Sequence, residues 1–186
     1  MTPDLPSAEP RHPALYQRVR ESFQRQGMML QLGARLLDVG PGMCVLELPY
    51  SDKVTQQQDG FHGGAMGALL LEVGTGRCVL ELPYSDKVTQ QQGGFHGGAM
   101  GALADIAGGY AALTVAPDGM EVTTVEYKIN FLAALRGGSL RATGQVVRAG
   151  KRIIVSSATV LHLDDQGVQT DCAVMQQTLV PVPKTY

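Results

Sequence analysis

Between Val88 and Pro117 the chain carries one formally charged residue, Asp105, set in the run GGAMGALADIAGGYAAL. Every helical neighbour of that carboxylate is Ala, Gly, Ile, Leu, Met or Tyr. Buried without partners it would cost several kcal/mol or be forced toward its neutral form, so Asp105 needs hydrogen-bond donors, a water-filled cleft or a chemical task. The plain alternative is that it faces outward or bonds nearby backbone. Two adjacent features favour chemistry. Gly97-Gly98, at the expected start of the helix, would let a ligand reach free backbone N–H groups at the positive end of the dipole, where a carbonyl turning into an oxyanion is stabilised. Ahead of them Thr89-Gln90-Gln91-Gln92 offers neutral amides that can hold a water. Donors, water holder and carboxylate make a hydrolytic set. No Gly-x-Ser-x-Gly occurs, and Cys44, Cys78 and Cys172 fall in strand-like runs with no C-x-x-C or Cys/His ligand spacing. Neither a nucleophilic triad, a disulfide framework nor a metal site is expected.

The elements that must position this set are read from periodicity. The chain has 186 residues, 44% of them hydrophobic and 17% charged, with a net charge of -2. That describes one ordinary globular domain with no bias toward nucleic acid or anionic membranes. No apolar run approaches the roughly 20 residues needed to span a bilayer, and MTPDLPSAEPRHP lacks a signal-peptide layout, so a cytoplasmic protein is expected. Leu15, Val19 and Phe23 recur at spacing four and predict an amphipathic helix over 15–26, within an N-terminal segment 1–30. Segments 31–39 and 43–49 read as strands joined by Gly40-Pro41-Gly42, and a second such pair turns at Gly74-Thr75-Gly76. The long non-alternating segment 97–115 is the central helix. Residues 121–132 alternate, with Val125, Tyr127, Ile129 and Phe131 on one face of a half-buried strand. Further strands are expected at 139–148, 152–163 and 170–180.

Part of this pattern is written twice. Cys44 to Leu69 and Cys78 to Leu103 are identical except at Asp59 against Gly93, at an offset of 34 residues, and the likeness continues upstream where Gly33 to Gly40 faces Gly67 to Gly74. Two units are too few for a solenoid. One unit removed from 186 residues leaves 152, a single-domain size, so the repeat reads as units 33–66 and 67–100 copied in tandem inside one domain, 31–186. Only the second unit runs on into Asp105. Its counterpart is Leu71, and on a helix Glu72 would point about 100° away, so the first His-Gly-Gly turn, at His62, is expected to be silent. The early strand pair can come from 31–49 or from 65–83, and the shorter connection to the helix favours the second. The displaced unit is then a helix-strand appendage or an excursion, and a twice-written strand is able to exchange between copies.

The runs VTQQQGGFHGGAMGALADIAGGYAAL and EVTTVEYKINFLAALRGGSLRATGQVVRAGKR resemble the hotdog-fold acyl-CoA thioesterases of the phenylacetate-degradation type. The resemblance implies an α+β fold in which an antiparallel sheet wraps a central helix, here with an extra duplicated strand-loop-helix unit. It also implies self-association as a dimer or tetramer, active sites at the dimer interface, and hydrolysis of an acyl-CoA with no cofactor. Residue by residue, it makes Asp105 the catalytic carboxylate and Gly97 the donor to the thioester carbonyl. Gln90, with Gln91 beside it, contacts substrate or water, and Thr124 orients that water. His96 and Gly98 border the substrate, with His96 open to a purely structural role. Lys151 and Arg152 either reach coenzyme A phosphates or form a solvated pair. The small residues Gly101, Gly108 and Gly109 suggest room for an aryl or medium-chain acyl group. The alternatives are an acyl-CoA-binding protein without catalysis, a hotdog dehydratase, or a thioesterase inactivated by its repeat.

Overall fold

The computed structural model describes residues 13–41, 43–49 and 68–185. Two helices open it, α1 (Pro13–Gln24) and α2 (Gly27–Leu32), followed by a hairpin of β1 (Arg35–Gly40) and β2 (Met43–Glu47). A second hairpin, β3 (Leu69–Gly74) and β4 (Arg77–Pro83), leads through a short turn to the helix α3 (Gly97–Leu113). Four long strands complete the chain: β5 (Met120–Phe131), β6 (Ser139–Ala149), β7 (Ile154–Leu163) and β8 (Gln169–Pro183). Six strands pair antiparallel in the order β3-β4-β6-β7-β8-β5, and α3 packs across that sheet.

The helix lies against the sheet because its side chains are small. Ala99, Leu103, Ala104, Ala107 and Ala111 are all fully buried, as are Leu140 and Cys172 facing them from the strands. A helix that is apolar on nearly every side belongs inside a protein, and here the sheet curls about it. The closest approach is at Gly144 on β6, where an added Cβ would lie 2.1 Å from the Ala107 carbonyl oxygen. Backbone meets backbone there. Leu82, Leu103 and Leu140, each fully buried, contribute about 1.5–3 kcal/mol apiece to the core around this contact.

Of the two candidate strand pairs, the later one, 69–83, is seated in the main sheet; β1 and β2 form a separate two-stranded sheet. Both hairpins have the same register 34 residues apart: Arg35 opposite Glu47 through Gly40 opposite Met43, and Leu69 opposite Glu81 through Gly74 opposite Arg77. Even the bulges correspond, between Leu36 and Asp38 and between Leu70 and Glu72. The loop and first His-Gly-Gly turn expected over 50–67 lie outside the described residues.

Three sequence expectations need correction. The first strand starts at Arg35 rather than residue 31, since residues 27–32 form α2, which is stopped by Gly33 in the left-handed region at φ 72. Glu72 and Leu71 lie on the strand β3, so no first-copy helix passes through them. On β5, Val125, Tyr127 and Phe131 are exposed instead of half-buried, because β5 is one of the sheet's two free edges and a bulge lies between Thr124 and Glu126. Gly144→Ala drives a methyl into a carbonyl that no rotamer change can move; it is expected to lower the unfolding free energy by about 3 kcal/mol, read from denaturant midpoints.

Candidate active site

The start of α3 is assembled from three parts of the chain. His96 caps the helix: its Nδ1 accepts from the Gly98 N–H at 2.9 Å, and its Nε2 donates to Gln26 Oε1 at 2.8 Å. Gln26 stands at the head of α2, whose Met28 N–H donates to Thr89 O, so α2 is docked on the loop before α3. That docking is tight, since a Cβ on Gly27 would overlap the Asp86 carbonyl. The same loop closes on itself. Gln90 exchanges backbone bonds with Gly94 and Gly93, its Oε1 accepts from Gln92 N–H, and Arg136 donates to Gln92 O. Gln91 and Gln92 stay exposed while Phe95 is buried beneath them, edge-on to Tyr84 at 5.2 Å.

Gly97, half-buried, is the first residue of the helix, and its N–H meets no acceptor among the described residues. Phe131 lies against it, 3.4 Å from where a Cβ would stand, and Tyr127 Oη lies 3.7 Å from the corresponding point at Gly101. Phe131 therefore stands beside Gly97 and Tyr127 one turn further along the helix, both exposed side chains of β5. Gly98 is exposed beside it, its own N–H taken by His96.

Two turns further along α3, Asp105 is partly buried, and two strands supply its donors. Thr124 of β5 donates its hydroxyl to Asp105 Oδ1 at 2.8 Å. Gln177 of β8 donates through Nε2 to Asp105 O at 3.2 Å and Oδ1 at 3.3 Å. Gln177 is 1% exposed, and a carboxylate opposite fixes which way round its amide sits, because the reversed amide would set oxygen against oxygen. Its Oε1 and the nearby Ser156 Oγ are buried with no hydrogen-bond partner among the described residues. Both stand over Gly108, where a Cβ would come within 2.5 Å of the one and 2.8 Å of the other. Gly108 leaves the space that Gln177 uses to reach Asp105.

Thus Asp105 and Thr124 come together, as do Gly97, Gly98, His96 and the Gln90-Gln91 turn. Lys151 and Arg152 are exposed in the β6–β7 turn. Ile154 pairs with Leu179 and Leu179 with Thr124, so that turn begins at the level of Thr124, two strands away. Gln26, Arg136 and Gln177 were not singled out from sequence. A glutamine in an alternating strand reads as a surface residue, and only the pairing shows that Gln177, not Gln176, faces the helix.

A six-stranded antiparallel sheet enclosing one helix is the hotdog class of fold, and here that helix carries the hydrogen-bonded carboxylate on its length and the open N–H at its start. The chain matches the thioesterase superfamily over residues 92–169. A candidate esterase of Saccharolobus solfataricus is 42% identical over 138 residues, 74% of this chain and 74% of that protein. The solved thioesterase family protein of Silicibacter pomeroyi is 30% identical with a TM-score of 0.59, across 91% of this chain and 99% of that one. A Streptococcus mutans protein solved with acetyl-CoA bound shares the fold at 21% identity and a TM-score of 0.56, over 64% of this chain and 92% of its own. The chain belongs to the thioesterase superfamily. No helix among the described residues is long and apolar enough to cross a membrane.

Burial holds the His96 imidazole below its ordinary pKa, and the bond that Nδ1 accepts from the Gly98 N–H requires the neutral ring, whereas the donation from Nε2 to Gln26 survives protonation. With the folded value depressed, the unfolded chain takes up its proton first, so stability is full above about pH 6.5 and is lost as pH falls toward the folded value. His96→Asn keeps a capping side chain that does not titrate. Denaturant midpoints measured from about pH 8 down to about pH 5 are expected to fall more steeply for the native chain than for this variant.

Proposed function

We propose that this chain hydrolyses an acyl-CoA thioester to free acid and coenzyme A, as a self-associating cytoplasmic thioesterase of the phenylacetate-degradation type acting on an aryl or medium-chain acyl group. The observation that carries this reading is Asp105: one carboxylate in an otherwise apolar helix, its Oδ1 held by Thr124 and Gln177. A carboxylate so oriented serves as general base on a water or as nucleophile toward the thioester carbon. The Gly97 N–H at the helix start polarises the thioester oxygen, and the Gln90-Gln91 turn borders the entering substrate. Phe131 and Tyr127 offer an apolar wall for the acyl group, and Lys151 and Arg152 offer charge to the coenzyme A phosphates. The Streptococcus mutans relative supports the ligand class, since the same fold there holds acetyl-CoA.

Geometry also supports a shared site. Gly97 and Asp105 are eight positions apart on one helix, an axial rise of about 12 Å. A donor to the thioester oxygen and a base on the water attacking the adjacent carbon must act within about 3 Å of their targets. One helix cannot bring both groups to one thioester. A second copy joined at the β5 edge would supply the other half and cover the exposed Val125, Tyr127 and Phe131.

Asp105→Asn is expected to lower kcat about 100- to 10,000-fold while acyl-CoA binding persists, followed by coenzyme A thiol release from aryl- and medium-chain acyl-CoAs. Binding by the native chain without any turnover would make it an acyl-CoA-binding protein instead. Gly97→Pro removes the N–H at a position where helices accept proline, and His96 before it already has the extended φ -72, ψ 134 that proline demands. Each variant alone is expected to be inactive, and subunit exchange between the two should restore activity. Two folded, mixed and still silent variants would show that each site is made by one chain.

A further inference from the structure

The strand seated beside β6 has a twin elsewhere in the chain. Cys78-Val79-Leu80-Glu81-Leu82-Pro83 lies in the sheet, and Cys44-Val45-Leu46-Glu47-Leu48-Pro49 repeats it letter for letter in the detached hairpin. Their surroundings differ sharply. Val79, Leu80 and Leu82 are 6%, 3% and 2% exposed, whereas Val45, Leu46 and Leu48 are 39%, 51% and 41% exposed. The detached copy thus carries an apolar face shaped for a groove that its twin already fills.

The residues in which the hairpins differ do not make that seat. They are Arg35 against Leu69, Asp38 against Glu72, Pro41 against Thr75 and Met43 against Arg77. In the seated hairpin Leu69 to Val73 are all exposed, and the Arg77–Glu72 ion pair is a surface pair that contributes little. The hairpin tip is tied to the body by backbone alone: Gly76 N–H donates to Thr114 Oγ1 at 2.7 Å, and Val146 N–H donates to Gly76 O at 2.8 Å. In the sequence Gly42 corresponds to Gly76, so both hairpins carry a glycine at the position whose backbone makes these two bonds.

We propose that the place beside β6 accepts either hairpin, so that residues 35–49 replace 69–83 there within one chain. By the seated register, Cys44 would then stand opposite Gly144, Leu46 opposite Ala142, and Glu47 opposite Arg141, which now holds Glu81 at 2.7 Å. Loop closure does not choose between the two arrangements. The sequence that joins the parts on either side is 34 residues long in each, between Ala34 and Leu69 in the observed one and between Pro49 and Tyr84 in the exchanged one. The observed arrangement keeps the contacts of α1 with β1, where Tyr16 donates to Leu36 O and Val39 is buried, and those contacts break on exchange. The short tether between the hairpins makes exchange within a chain far more frequent than exchange between chains.

The three cysteines report this directly, whatever reaction the protein catalyses. Cys78 is buried in the observed arrangement and freed by exchange, Cys44 does the reverse, and Cys172 on β8 is buried in both. The native chain is pulsed with an alkylating reagent, and labelling at each cysteine is located by mass spectrometry and normalised to the same thiol in the unfolded chain. Cys78 is expected to react roughly tenfold or more faster than Cys172, because it opens without global unfolding. Leu46→Asp, which disables the spare hairpin, should slow Cys78 to the rate of Cys172. Leu80→Asp should remain folded with Cys44 protected and Cys78 reactive. The proposal fails if Cys78 is no faster than Cys172, if Leu46→Asp leaves the Cys78 rate unchanged because the seated hairpin merely frays, or if Leu80→Asp unfolds.

Discussion

Gly144 lies so near the Ala107 carbonyl that one methyl group would overlap it, and that approach dictates what the helix can be made of. Alanine and glycine are what fit between a helix backbone and a sheet at such range, so α3 carries them on nearly every inward position. The cost is a helix with little side-chain bulk of its own; the sheet must curl around it and supply the leucines. The gain is reach. With the backbones this close, a threonine on β5 and a glutamine on β8 can both touch a carboxylate on the helix, the glutamine passing over Gly108 to do so. Packing and chemistry are two outcomes of one distance.

The parts legible in the sequence are those where a local pattern has one interpretation. A long apolar stretch without alternation had to be a buried helix, and one aspartate inside it had to be held by something. The holders were less visible. Thr124 entered through a family resemblance, and Gln177 did not enter at all, since in MQQTLV either glutamine could face inward until the pairing of β7 with β8 is known. The helix α2 was hidden because six residues, GMMLQL, are too few to show a period. Edge position defeated the reading of β5: alternation reports two faces but not whether either is covered.

The repeat gives an internal test of how far local sequence governs structure. Ala102 and Leu103 lie in the middle of α3, while Ala68 and Leu69, preceded by the same 24 residues from Cys44 onward except at Asp59, lead into a strand. The residues immediately downstream differ and decide the outcome. Ala104-Asp105-Ile106-Ala107 continues a helix, and Leu70-Leu71-Glu72-Val73 pairs with β4 at the sheet's edge. The shared residues thus take whichever conformation their downstream neighbours and the partners of those neighbours support.

The bond between Gln26 and His96 ties residues far apart in the chain at the mouth of the candidate site. To a protein engineer the N-terminal helices look like dispensable flanking sequence ahead of the first strand at Arg35. Trimming the chain to that strand would delete the acceptor that positions the capping histidine and the helix docked on the Gln90 turn. The N-terminal helices therefore belong to the working unit, and an affinity tag or fusion partner is better attached beyond the last strand.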